Sequence, residues 1–199
     1  MQKEGIGMES TIIVVTGGAK SGKSTFAEEY LAACSGIKAY VATAQALDAE
    51  MAARIDAHQQ RRPAGWQTYE MPDNMSGQLP MVLTAADAVL IDCLTMYFSN
   101  YLLAHEQESD GAILDGAMAE MEKIIQDIRR EKGRIVIFVT NELGSSIVPM
   151  GRISRLYRDL IGQINQYAAA EADAVYLTTC GIPVEIKSRR AVIPAGGRR

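Results

Sequence analysis

The stretch from Thr11 to Ala33 leaves this chain little choice of fold. Thr11-Ile12-Ile13-Val14-Val15-Thr16 is a short β-branched, apolar run, the signature of a strand buried on both faces. Gly17-Gly18-Ala19-Lys20-Ser21-Gly22-Lys23-Ser24 follows and fits G-x-x-x-x-G-K-S. Thr25 to Ala33 then reads as a helix. A strand, a glycine-rich turn and a helix together form the setting in which this loop cradles phosphate. Gly17 and Gly22 let the backbone curl closely around phosphate oxygens, which its N–H groups and the helix N-terminus can hold. Lys23 is placed to neutralise β/γ-phosphate charge, and the Ser24 hydroxyl to ligate Mg2+.

Similar apolar runs recur along the chain. They are Ile37 to Thr43, Ala88 to Cys93, Arg134 to Thr140, Ala174 to Thr179 and Val184 to Lys187. Amphipathic helical patterns separate them: Asp48 to Gln60, Ala112 to Glu131 and Arg152 to Ala170. Ile113, Met121, Ile124, Ile125 and Ile128 are available for one face of the second. Ile153, Leu156, Leu160, Ile161 and Ile164 are spaced for one face of the third. The last two strands are joined through Cys180-Gly181-Ile182-Pro183, too short for a crossover, so they should pair antiparallel at an edge. The expected architecture is a three-layer α/β domain of the RecA-like P-loop NTPase class. Its sheet should be mostly parallel, with an antiparallel C-terminal edge strand.

The chain has 199 residues, enough for one larger domain over 1–199, with 1–10 and 188–199 expected as loose tails. A net charge of −4 advertises no basic face for nucleic acid. No apolar run is long enough to span a membrane. Cys34, Cys93 and Cys180 have no metal-binding spacing, which points to a reducing, cytoplasmic setting in which each is a small buried hydrophobe.

Most of the other candidate residues along the chain admit two readings. Asp92 ends an apolar strand and suits a metal-holding carboxylate, or an N-cap for a helix from Thr95 onward. His105 lies in a polar, solvated helix end. His58 sits beside Gln59, Gln60, Arg61 and Arg62, after the second strand and on the same sheet edge as the glycine loop. It reads equally as a surface histidine and as a nucleophile, general acid or phosphate ligand. Thr140-Asn141-Glu142-Leu143-Gly144 is a capped turn or a ligand-reading segment on that edge. Arg152, Arg155 and Arg158 form a stripe that is either solvated or faces an anion or another subunit.

Several segments together resemble the bifunctional adenosylcobinamide kinase / adenosylcobinamide-phosphate guanylyltransferase family. They are Thr16 to Ser24, Tyr40-Val41-Ala42-Thr43-Ala44, Glu50 to Ile55, His58, Arg61-Arg62-Pro63, Trp66 and Ile91-Asp92-Cys93-Leu94-Thr95. Val139 to Gly144, Ile147-Val148-Pro149, Tyr157 to Gln166, Ala172-Asp173 and Gly181-Ile182-Pro183 extend the match. The resemblance implies phosphorylation of adenosylcobinamide by ATP or GTP. Transfer of GMP from GTP to the product, through a transiently guanylylated histidine at His58, would follow. It implies nucleotide contacts at Gly17, Gly18, Ala19, Lys20, Ser21, Gly22, Lys23 and Ser24. Further contacts would fall at Ala42, Thr43, Ala44, Gln59, Gln60, Arg61, Arg62, Glu70 and Asp92. Lys23 and His58 would be catalytic, with Ser24 and Asp92 holding Mg2+. Glu70 could read guanine through its N1 and exocyclic amine, or be an exposed acid at a strand end. Family members form trimers, so a homotrimer is expected. Many relatives have Glu where Asp92 stands, one methylene longer, and a second Gly where Ser146 stands.

Overall fold

The computed structural model describes residues 9–45 and 65–192. Seven strands alternate with helices: β1 (Thr11–Thr16), β2 (Lys38–Ala42), β3 (Gln67–Glu70), β4 (Ala88–Asp92), β5 (Ile135–Val139), β6 (Ala174–Thr179) and β7 (Ile182–Glu185). They form one sheet in the order β3-β2-β4-β5-β1-β6-β7. All pairings are parallel except β6 with β7. The described helices are α1 (Lys23–Ala33), α2 (Met75–Ala85), α3 (Leu94–Ala104), α4 (Asp110–Arg130) and α5 (Arg152–Glu171).

Alternation along β1 explains the layers. Ile12 and Val14 face one core with Ile113, Met121, Ile124 and Ile128 of α4 and Leu160, Ile161 and Ile164 of α5. Ile13 and Val15 face the other core, with Ala27 and Leu31 of α1. Each fully buried Ile, Val, Leu or Met side chain among them contributes about 2 kcal/mol of hydrophobic stabilisation. The expected apolar faces of α4 and α5 are buried as their spacing requires, apart from Ile153, which is half-buried. Ser109 caps α4, accepting the Ala112 N–H at 3.3 Å, so the helix begins at Asp110, two residues before the expected start.

Three readings need correction. The β6–β7 connection is only Cys180-Gly181, because Thr179 pairs with Ile182 and Thr178 with Pro183. Both turn residues have positive φ (52° and 79°), as a two-residue hairpin of primed type demands, and an edge strand accepts Pro183 without loss of a ladder bond. Ser10 is not loose: it is buried, its hydroxyl donates to the Glu131 carbonyl at 2.7 Å, and the Arg134 N–H donates to it at 3.1 Å. Residues 187–189 of the C-terminal region form a 3-10 turn, with the Glu185 carboxylate accepting from Lys187 N–H at 2.8 Å and Ser188 N–H at 3.0 Å. The expected helix from Asp48 to Gln60 lies outside the described residues.

Candidate functional site

The glycine loop is shaped by what stands behind it. Gly17 has φ +148°, and a Cβ there would meet the Thr178 carbonyl oxygen at 2.3 Å. Gly22 has φ +97° and is the N-cap of α1; its Cβ would lie 3.0 Å from the Gly181 Cα. The Gly181 N–H donates to the Ser21 carbonyl at 2.9 Å, so the β6–β7 turn is the loop's rear wall. Gly18, Ala19 and Lys20 form its exposed rim. No side chain caps α1, which leaves its first-turn N–H groups for an anion. The hydroxyls of Thr16, Ser21 and Thr178 are buried with no hydrogen-bond partner. A glycine cradle with orphaned polar atoms fits a bound phosphate chain.

Lys23 is only 7% exposed. Its ammonium folds back over the loop and donates to the Gly18 carbonyl at 2.6 Å. Burial lowers its pKa, opposed by the nearby Cys93 and Asp92. Ser24 is half-buried in the first turn of α1. The acid at the end of β4 is thus near enough for its charge to act on the loop lysine, although β5 runs between their strands.

The rest of the edge is a row. Strand register aligns Glu70 with Ala42, Ala42 with Asp92, and Asp92 with Val139, which aligns with Val15. Asp92 is not a helix cap: Cys93 takes the N-cap position of α3, without a side-chain capping bond. The buried Tyr40 hydroxyl donates to Asp92 Oδ2 at 2.9 Å. The Thr43 hydroxyl donates to the Cys93 carbonyl and accepts its N–H, both at 2.8 Å. Asn100 of α3 donates to the carbonyls of Thr43 at 2.8 Å and Pro72 at 3.0 Å. Ala44 is half-buried, and Glu70 is exposed at the end of β3. His58, Gln59, Gln60, Arg61 and Arg62 lie outside the described residues.

Beyond β5, Asn141 donates to Thr95 Oγ1 at 2.9 Å, and Thr140 donates to Asn165 at 2.7 Å. The arginine stripe serves local structure. Arg152 pairs with Asp110, Arg155 donates to the Met150 and Pro149 carbonyls, and Arg158 bonds Asp159. His105 is half-buried rather than solvated: its ring stacks on Tyr101 at 4.1 Å, beside a cavity of about 440 Å3. Cys93 is buried, and desolvation pushes its thiol up to about 11. Cys34 is half-buried. Cys180 is exposed, contrary to expectation, because it occupies the hairpin tip. Sequence reasoning gave no role to Tyr40 or Asn100, since nothing local marks a tyrosine or an asparagine whose partner lies 52 or 57 residues away.

Among the described residues, no three His, Cys, Asp or Glu side chains gather as a metal site. Mg2+ on a nucleotide needs no such cluster, only one or two protein oxygens besides phosphate and water. The Ser24 hydroxyl and the Asp92 carboxylate could supply oxygens of that kind.

The fold and loop define a P-loop nucleoside-triphosphate-binding domain. In agreement, an ATPase from the type III secretion system of pathogenic bacteria superposes with a TM-score of 0.55 at 12% identity, over 92% of this chain and 59% of that one. The family model described as cobinamide kinase / cobinamide phosphate guanyltransferase matches residues 13–186. The bifunctional adenosylcobalamin biosynthesis protein CobU of Salmonella typhimurium is 41% identical over 184 residues, covering 88% of this chain and 99% of the relative. CobU of Escherichia coli is 38% identical (88% and 99% covered), and CobP of Pseudomonas aeruginosa 41% (87% and 96%). The chain belongs to the cobinamide kinase / cobinamide phosphate guanyltransferase family and is an enzyme of that bifunctional kind.

Proposed function

We propose that one sheet edge serves two transfers on adenosylcobinamide. In the first, the loop from Gly17 to Ser24 holds the β- and γ-phosphates of ATP or GTP. Lys23 offsets the charge that develops as the γ-phosphoryl group moves to the aminopropanol hydroxyl. In the second, the His58 imidazole attacks the α-phosphorus of GTP, pyrophosphate leaves, and the resulting phosphoramidate donates GMP to adenosylcobinamide phosphate. The products are adenosylcobinamide-GDP and the free histidine. Gln59, Gln60, Arg61 and Arg62 hold phosphate charge near His58. Glu70 accepts the two guanine N–H groups, which adenine does not offer in that pattern. Mg2+, held by Ser24 and Asp92, would supply charge neutralisation of the phosphates.

The observation that carries this reading is the glycine cradle itself, in which a Cβ at Gly17 would collide with the Thr178 carbonyl, no side chain caps α1, and the Thr16, Ser21 and Thr178 hydroxyls are buried without partners. The row from Glu70 through Ala42 to Asp92 supports a nucleotide lying along the edge, with its base away from the loop. The reading also includes a single domain over 1–199, a cytoplasmic setting and a homotrimer. No described helix is long and apolar enough to cross a membrane. Ile147 (94% exposed) and Met150 (97%), with Ile182 on β7, offer apolar surface for a neighbouring copy.

The test is to incubate the enzyme with Mg2+, adenosylcobinamide and GTP labelled at the α-phosphate. Mass spectrometry should detect the phosphate and then the GDP derivative. Acid-labile label should remain on the denatured protein and be absent from His58→Ala. Phosphorylation without covalent label would reduce the enzyme to a kinase.

A further inference from the structure

Phosphorylating an alcohol releases a proton, and the residues placed so far do not receive it. Lys23 is a donor. Asp92 already accepts from Tyr40 and stands near Lys23. A further carboxylate stands on the same edge. β5 lies between β1 and β4, so the chain leaving β5 passes between the glycine loop and Asp92. There the Thr140 N–H donates to the Val15 carbonyl at 3.0 Å, and the Glu142 N–H to the Gly17 carbonyl at 3.1 Å. These bonds bring the Glu142 backbone within about one strand spacing, ~5 Å, of the loop's first glycine.

The Glu142 side chain is exposed and held in place. Oε1 accepts the Gly144 N–H at 2.7 Å, and Oε2 accepts the Ser145 N–H at 3.2 Å. Hydrogen bonding by Ser145, and then by the Gly144 N–H, keeps the carboxyl below its ordinary range, so it is ionised at neutral pH. Each oxygen retains a second lone pair for an incoming hydroxyl.

We propose that Glu142 is the catalytic base of the kinase step. This rests on the two-transfer reading above. The acceptor hydroxyl oxygen bonds the γ-phosphorus while the bond from that phosphorus to the β–γ bridging oxygen breaks. The electron pair leaves on the nucleoside diphosphate. The hydroxyl proton passes to Glu142 and from there to solvent. A weakly basic carboxylate suffices, because in a loose, metaphosphate-like transition state the attacking oxygen is only weakly bonded. The guanylyl half-reaction has no hydroxyl to deprotonate when His58 attacks, so it does not need Glu142.

The two activities give the test its control. Glu142→Gln retains a carbonyl oxygen for the Gly144 N–H. It should slow formation of adenosylcobinamide phosphate by about 100- to 1,000-fold. Its KM for GTP and its covalent labelling by α-labelled GTP should stay within about twofold of wild type. Glu142→Asp, which keeps a carboxylate, should recover at least about tenfold over Glu142→Gln. An unimpaired kinase in Glu142→Gln overturns the proposal. So does a parallel loss of phosphorylation and labelling, which would mean that Glu142 only shapes the loop, and so does a Glu142→Asp no better than Gln. A wild type that forms no phosphate product fails the two-transfer reading itself, and the base assignment falls with it.

Discussion

The two ends of the ligand edge are built by opposite means. At β1 the site is backbone: glycines at 17 and 22 are each pressed against the β6–β7 hairpin, and no side chain caps the helix that follows. At β2 and β4 it is side chain: Tyr40 on Asp92, Thr43 on Cys93, Asn100 on Thr43. A backbone site tolerates no added atoms where its glycines face the hairpin, and it advertises itself as a motif. A side-chain site tolerates small changes in degree and is written across distant positions.

Substitutions can break that contrast. Gly17→Ala should have the largest effect, because its Cβ meets a backbone carbonyl at 2.3 Å and its φ is one that L side chains rarely adopt. We expect loss of about 4 kcal/mol in urea unfolding, together with loss of nucleotide binding. Gly18→Ala, with nothing within 4 Å, should change stability by less than about 0.5 kcal/mol. Equal effects at the two positions would refute the packed-cradle account. Lys23→Ala should lower the phosphorylation rate by about 100-fold or more in a steady-state kinase assay. An undiminished rate would show that the loop lysine does not serve the γ-phosphate.

At the side-chain end the effects should be graded. Thr43→Val keeps the shape but leaves the Cys93 N–H without its partner, while the Cys93 carbonyl keeps the Tyr97 N–H at 3.1 Å, at a cost of about 2 kcal/mol by chemical denaturation. Tyr40→Phe removes one hydroxyl from Asp92 and should cost about 1 kcal/mol, with a several-fold rise in the Mg2+ needed for half-maximal activity. An unchanged Mg2+ requirement would separate Asp92 from the metal. The mildest test is chemical. With its thiol pushed up to about 11, Cys93 is ionised at roughly one part in a thousand at pH 8, and it is also buried. A thiol reagent should therefore label exposed Cys180 in the native enzyme and reach Cys93 only after unfolding.

The same contrast governs what could be read from the sequence. β1, β2, β4, β5 and β6 were legible because strands buried on both faces are continuous apolar runs. β3 was not, since Gln67-Thr68-Tyr69-Glu70 is an edge strand held by backbone pairing to β2, with no fully buried residue. α2 hid behind Gly77 and an internal Pro80, both poor helix formers. Its first turn is rescued from afar: the Tyr97 hydroxyl receives the Met75 N–H, and Glu120 receives the Ser76 N–H. Within the site, Gly17 to Ser24 could be named from eight adjacent residues. The partners of Asp92 and Thr43 could not, because strand order rather than sequence spacing sets them side by side.

The turn at Cys180-Gly181 has a consequence for how this chain can vary. It is a surface hairpin at the sheet's end, ordinarily a place that accepts insertions or bulky residues. Here its backbone is the rear wall of the loop formed near the other end of the chain. Lengthening it would shift the Gly181 backbone against Gly22, and a side chain at Gly181, although it would meet nothing within 4 Å, would strain the φ of +79° that the turn requires. The permissive-looking end of the molecule is therefore under the same geometric discipline as the motif it backs.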